Sequence, residues 1–151
     1  MKIIAERQDL GGGLIVSSLF AVDCRGAIDK LVTNFLLEFV SELTLNDLSS
    51  LEDIVSGGVQ FDDGDNALVE INGKTAWLRV RSGSPAGLLV ENEYAPEYSD
   101  ENRVPKVFNL GLVRASLSVW RQLREAERDL GREGSVGSRF EVVVGGKSPG
   151  G

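Results

Sequence analysis

The residues that most invite a chemical reading stand near the end, where SRFEVVVGGKSPGG runs from a β-rich stretch into Gly146-Lys147-Ser148. Those three types close a phosphate-binding P-loop. Such a loop also needs a glycine five residues before the first of them, and then a helix whose N-terminal amides face the phosphates. Position 141 is Glu, and Pro149-Gly150-Gly151 follows the serine. The expectation is a flexible C-terminal tail over 146–151 and no nucleotide. Asp62-Asp63-Gly64-Asp65-Asn66 is acidic enough to raise the question of calcium. It lacks the alternating oxygen ligands, the following glycine and the closing Glu of an EF-hand. A turn that opens a hairpin accounts for it, so no metal and no cofactor is expected.

The carboxylates Asp23 with Asp29, and Glu91 with Glu93, could be read as acid–base pairs, but no positioned second group accompanies them. They read as solvated charges. The chain holds no histidine. That excludes Ser-His-Asp triads, Cys-His pairs, HExxH zinc sites and imidazole proton transfer. Cys24 is the single cysteine. It excludes an intramolecular disulfide and a cysteine zinc cluster, and it reads as a small buried residue at a strand end. The sequence therefore reads as non-enzymatic.

The formal net charge is −7. Clustered Lys and Arg are what neutralise phosphates, so direct nucleic-acid binding is disfavoured. RQLREAERDL interleaves Arg with Glu125, Glu127 and Asp129, which are surface pairs at helical spacing rather than a basic groove-reading face. Apolar residues make up 42% and charged residues 26%, a globular balance. No apolar run is long enough to span a membrane. Met1-Lys2-Ile3-Ile4 meets Glu6, Arg7 and Asp9 at once, without a signal-peptide pattern. A cytoplasmic protein is expected, with one domain over 1–145.

The elements follow from periodicity. Lys2 to Glu6 and Leu14 to Val22 read as strands joined by a turn at Gly11-Gly12-Gly13. From Ala27 the period becomes helical: Ile28, Leu31, Val32, Phe35, Leu36, Phe39, Val40 and Leu43 make one stripe. Thr44 caps a second helix over LNDLSSLEDIV, which Gly57-Gly58 stops. Asn72-Gly73 between two alternating runs predicts a two-residue hairpin turn. It pairs Ile71 with Lys74, Val69 with Ala76 and Ala67 with Leu78. Leu68 then falls across from Trp77, on the face shared by Glu70, Thr75, Arg79 and Arg81. LLVENEY is a third strand of that meander. Val107 to Leu130 reads as a long helix ended by Gly131, with Trp120 on its apolar stripe and in the core. Arg139 to Val144 is the last strand. The fold class is α+β: an antiparallel meander sheet of about six strands packed with two or three helices.

Two long segments resemble a known family. GVQFDDGDNALVEINGKTAWLRVRSGSPAGLLVENEY followed by VFNLGLVRASLSVW is similar to the strand-strand-strand-helix half of the type III secretion chaperones and the related YbjN-like domains. GGGLIVSSLFAVDCRGAIDKLVTNFLLEFVSEL resembles their closing part, two strands and an amphipathic helix. In the family the order is helix, three strands, helix, two strands, helix. Here the closing unit stands first, so the resemblance implies a permuted order. It also implies a homodimer that binds an extended segment of another protein without catalysis, and it assigns no single residue.

The reading is an acidic protein-binding module, secretion-chaperone-like or inhibitor- or immunity-like. Its partner is another protein, not nucleic acid or membrane. The candidate partner-binding residues are Leu68, Trp77, Arg79 and Arg81, an aromatic anchor among charges. The alternatives are a structural or assembly subunit of a phage or secretion particle, and a small carboxylate-based enzyme.

Overall fold

Three glycines in a row set the first turn. Gly11, Gly12 and Gly13 have φ of 105°, 64° and 82°, which only glycine adopts without strain. Leu10 N–H closes the turn on the Leu14 carbonyl at 2.8 Å. The turn joins β1 (Lys2–Asp9) to β2 (Ile15–Val22), both longer or shorter than expected by only a few residues. The computed structural model describes residues 1–55, 66–70, 76–81, 87–92 and 106–144. Its further elements are α1 (Lys30–Glu38), a 3-10 turn (Val40–Glu42), α2 (Leu45–Val55), β3 (Asn66–Glu70), β4 (Ala76–Arg81), β5 (Gly87–Asn92), β6 (Lys106–Asn109), α3 (Leu110–Gly134) and β7 (Arg139–Val143).

The α+β class holds, with three helices among the described residues, but the single sheet of about six strands does not. The strands divide into a three-stranded antiparallel sheet in the order β2-β1-β7 and a four-stranded one in the order β3-β4-β5-β6. The division comes from β7, which returns across almost the whole chain to pair with β1, Lys2 opposite Val143. Local pattern carries no information on such a long-range partner.

The stripe from Ala27 to Leu43 is one helix by periodicity and two pieces in space. Ala27 and Ile28 continue along β2 instead: Ile28 bridges Val22, and Asp23 N–H reaches the Ala27 carbonyl at 2.8 Å. Asp29 then caps α1, its carboxylate accepting Val32 N–H at 3.0 Å. Ile28 and Leu31 are therefore half exposed rather than core. At the far end the Ser41 hydroxyl takes the Leu37 carbonyl at 2.6 Å, the acceptor a continuing helix would use. The chain tightens to a 3-10 turn closed by Leu43 N–H on Val40. Both pieces still bury Phe35, Leu36, Phe39, Val40 and Leu43. α2 follows as expected, with a reciprocal cap: Asp47 N–H to Thr44 Oγ1 at 3.1 Å, and Thr44 N–H to Asp47 Oδ2 at 3.0 Å.

Val107 belongs to β6 rather than to the long helix, because Leu89 pairs with Val107 and Leu88 with Phe108. Phe108 is buried and stacks on Phe35, with ring centroids 4.3 Å apart. α3 starts at Leu110 and buries Val113, Leu117, Trp120 and Leu123 against the first sheet, so Trp120 is core as its stripe indicates. Cys24 is exposed, contrary to the expected buried strand end. Asp23 shapes the segment: its carboxylate accepts Arg25 N–H at 2.8 Å and Ala27 N–H at 3.0 Å, folding a tight turn that carries Cys24 at the surface.

Gly131 interrupts α3 at φ 82° and ψ 178°, a conformation essentially reserved for glycine. One separate turn follows it, held by Ser135 on the Gly131 carbonyl. A side chain at 131 would meet nothing within 4 Å, so only the backbone resists substitution. Gly131→Ala is expected to lower stability by about 1–3 kcal/mol, read as an earlier urea midpoint with an unchanged slope.

Candidate functional site

The candidate partner face is defined by register. Asn66–Glu70 pairs with Ala76–Arg81 so that Glu70 faces Trp77, Val69 faces Leu78, Leu68 faces Arg79 and Ala67 faces Val80. The expected pairing of Leu68 with Trp77 is thus corrected by two residues, and a two-residue turn at Asn72-Gly73 cannot close this register. Residues 71–75 themselves, and with them that turn, lie outside the described residues. The shift sets Val69 against Leu78 in place of Ala76, and Ala67 against Val80 in place of Leu78. A slip of two preserves faces, where a slip of one would exchange them.

Two kinds of row therefore cross the second sheet. One runs Ala67, Val80, Leu88, Phe108, and ends on the buried Phe108. Phe108 is the one position of that row whose burial is described. The other parity runs Leu68, Arg79, Leu89, Val107, then Glu70, Trp77, Glu91, then Asn66, Arg81, Gly87. All four predicted residues, Leu68, Trp77, Arg79 and Arg81, share it. Their side chains lie outside the description, which for them is one of backbone register.

A second polar constellation was missed in the sequence. β1 turns Ile3 and Ala5 into the core, and Arg7 is next on the same face. Its Nη1 donates to Ser17 Oγ across the strand pair at 2.7 Å and to Glu127 Oε1 of α3 at 3.1 Å. The Ser17 hydroxyl donates to the same carboxylate oxygen. Arg124 Nη1 holds Glu127 Oε2 at 2.9 Å, and its guanidinium lies 5.9 Å over the Trp120 ring. Arg7 and Glu127 are only 12% and 14% exposed, so this pair is set at the rim of the core. The available signal was that Glu127 continues the stripe of Trp120 and Leu123 at helical spacing.

Serine beside a carboxylate raises the question of a nucleophile and its base. Both Glu127 oxygens are committed to guanidinium groups, and no oxyanion donors converge on Ser17 among the described residues. The constellation is a clamp between α3 and the first hairpin. Beside it, Thr44, Leu45, Asn46, Arg124, Glu127 and Arg128 line an open cleft of about 500 Å³. A second clamp ties α3 to α2: Arg121 Nε donates to Glu52 Oε1 at 2.7 Å and its Nη2 to Ser49 Oγ at 2.9 Å, while Arg114 reaches the Val55 carbonyl at 2.7 Å. The hydrogen bond to Glu52 raises the Arg121 pKa above its usual value. A raised basic group contributes stability below its unfolded pKa and loses it only as pH climbs through the folded one, so this clamp brings no pH dependence near neutrality.

The paired carboxylates separate into local roles, Asp23 in its turn and Asp29 at its cap. Glu91 stands in β5 opposite Trp77. Glu93, the acidic run 62–65, Gly57-Gly58 and the tail 146–151 lie outside the described residues. Among the described residues no group of three or more acidic or cysteine side chains is placed to hold a metal ion, and no helix is long and apolar enough to cross a membrane. Compared with known protein families, characterised proteins and solved structures, the chain matches none.

Glu127→Ala would leave Arg7 enclosed without its anion. The expected loss is about 1.5–3 kcal/mol, the range for a hydrogen bond to a charged group. Glu127→Gln, which keeps an acceptor for Ser17, should lose less. Urea denaturation of the pair of variants measures both.

Proposed function

We propose that the protein is a non-catalytic module that binds an extended segment of another protein, in the manner of the secretion chaperones it resembles, and that it acts as a homodimer. The observation that carries this reading is the second sheet. By register the buried Phe108 shares its row with Ala67, Val80 and Leu88, and the opposite parity holds Trp77, Leu68, Leu89 and Val107 together with Arg79, Arg81, Glu70 and Glu91. Apolar positions ringed by both signs of charge are the composition of a protein-binding surface.

Element order lends support. Among the described residues, read in a ring from α2, the order is helix, four strands, helix, three strands, helix. The family pattern has three and two strands at those places. Val144, the last described residue, lies beside the first, its N–H donating to the Met1 carbonyl at 2.8 Å, and such proximity is what a permuted order requires.

The test begins with a client identified by cross-linking and mass spectrometry on tagged protein. Trp77→Ala should then weaken that client by about 30-fold or more, the loss of one hot-spot residue of about 2 kcal/mol, with the melting temperature little changed. Unchanged affinity would move the client site elsewhere. A loss of about 3–5 kcal/mol in stability would make Trp77 a core residue instead.

A further inference from the structure

The two edges of the first sheet are treated differently. Along β2 the outward groups belong to odd-numbered residues, and the chain entering α1 takes those at its C-terminal end: Asp29 N–H donates to the Ala21 carbonyl at 2.9 Å, and Ala21 N–H to Thr33 Oγ1 at 3.0 Å. Along β7 nothing among the described residues does the same. Which groups β7 leaves open follows from its pairing. Arg7 N–H donates to the Ser138 carbonyl, and Val144 N–H to Met1, so the even residues of β7 turn their amides and carbonyls towards β1. In an antiparallel ladder the intervening residues turn theirs the other way. The open edge is therefore the N–H and C=O of Arg139, Glu141 and Val143.

We infer that this edge pairs with the same edge of a second copy of the chain, β7 against β7 about a two-fold axis, with Arg139 opposite Glu141 of the second copy and Phe140 opposite itself. Three facts select the occupant and register. A two-fold pairing of outward groups must set odd residues opposite odd ones. Of the registers that do so, centring on Phe140 places opposite charges together twice, whereas centring on Glu141 places two carboxylates face to face. The apolar side agrees: Phe140 is half buried at the end of the row Leu19, Ala5, Phe140, and its counterpart would continue that row. The charged side agrees as well. Arg139 already bonds Glu6 at 2.9 Å and Glu141 at 3.4 Å, and Lys2 reaches Glu141 at 3.4 Å, so alternating charge would extend across the axis.

This inference rests on the dimeric half of the proposed function alone. Client binding through the second sheet stands or falls separately, by the Trp77 measurement.

Proline gives the direct test. Residue 141 points its N–H outward, so Glu141→Pro removes an edge donor without touching the ladder to β1. Residue 142 points inward, so Val142→Pro removes a bond of the fold. By sedimentation velocity the unaltered chain should be a dimer, and Glu141→Pro a monomer with the same far-ultraviolet circular dichroism. Val142→Pro should lose that spectrum. A monomeric unaltered chain, a Glu141→Pro dimer, or an intact Val142→Pro spectrum would each overturn the proposal. Oxidative cross-linking supplies a readout that does not depend on proline. In a Cys24→Ser background, Phe140→Cys should form a disulfide dimer, because it alone lies on the axis, and Glu141→Cys should not. Cross-linking at 141 in place of 140 would refute the register.

Discussion

The pairing of β1 with β7 is the constraint on which the rest depends. β1 is the middle strand of its sheet, bonded to β2 through its even residues and to β7 through its odd ones. The odd residues also carry the core: Ile3 and Ala5 are fully buried, and Arg7 ends the same row. A strand saturated on both edges and buried at Ile3, Ile4 and Ala5 has no freedom to slip. A slip of one residue would turn Ile3 and Ala5 out and bring Lys2 and Glu6 in. The cost of closing so long a chain segment grows only slowly with its length, so the apolar row outweighs it.

α3 is held in three ways of unequal strength. Its apolar stripe buries Val113, Leu117, Trp120 and Leu123 and contributes most, at about 1.5–3 kcal/mol for each large side chain taken from water. Its ion pairs differ by exposure. Arg128 with Asp129, at 59% and 63% exposed, is solvated and contributes little. Arg7 with Glu127 sits at the edge of the core with a serine and a second arginine completing its bonds, so removing one member leaves a charge without its partner. The same residue types in one helix thus do different work, and burial decides which.

Where local chemistry governs, the sequence was legible. Gly11-Gly12-Gly13, the Thr44 cap of α2 and the alternating strands all act within a few residues, and each stands where its pattern puts it. The α1 boundaries depended on competition: Asp29 offered a cap and Ser41 a rival donor, and both overrode a clean apolar stripe. The β3–β4 register differs by two residues from the one that a two-residue turn at Asn72-Gly73 would set. A slip of two leaves parity unchanged, so Leu68, Trp77, Arg79 and Arg81 keep one parity of backbone register. The Arg7–Ser17–Glu127 clamp was hidden for another reason. Its members are far apart in sequence, and each alone resembles a solvated surface residue.

The proposed β7 pairing would have to overcome the charge of an acidic chain. At a net −7, two copies repel at long range, but physiological salt screens charges beyond about 8 Å. What remains is the charge next to the contact. At the β7 edge that charge is mixed, Arg139 beside Glu141, with Lys2 and Glu6 behind them. Screening therefore removes most of the unfavourable field and leaves the short Arg–Glu contacts largely intact. An edge bearing Glu alone would be protected against association in the way exposed strands commonly are. One bearing Arg and Glu in alternation is protected against most strands and complementary to its own antiparallel image.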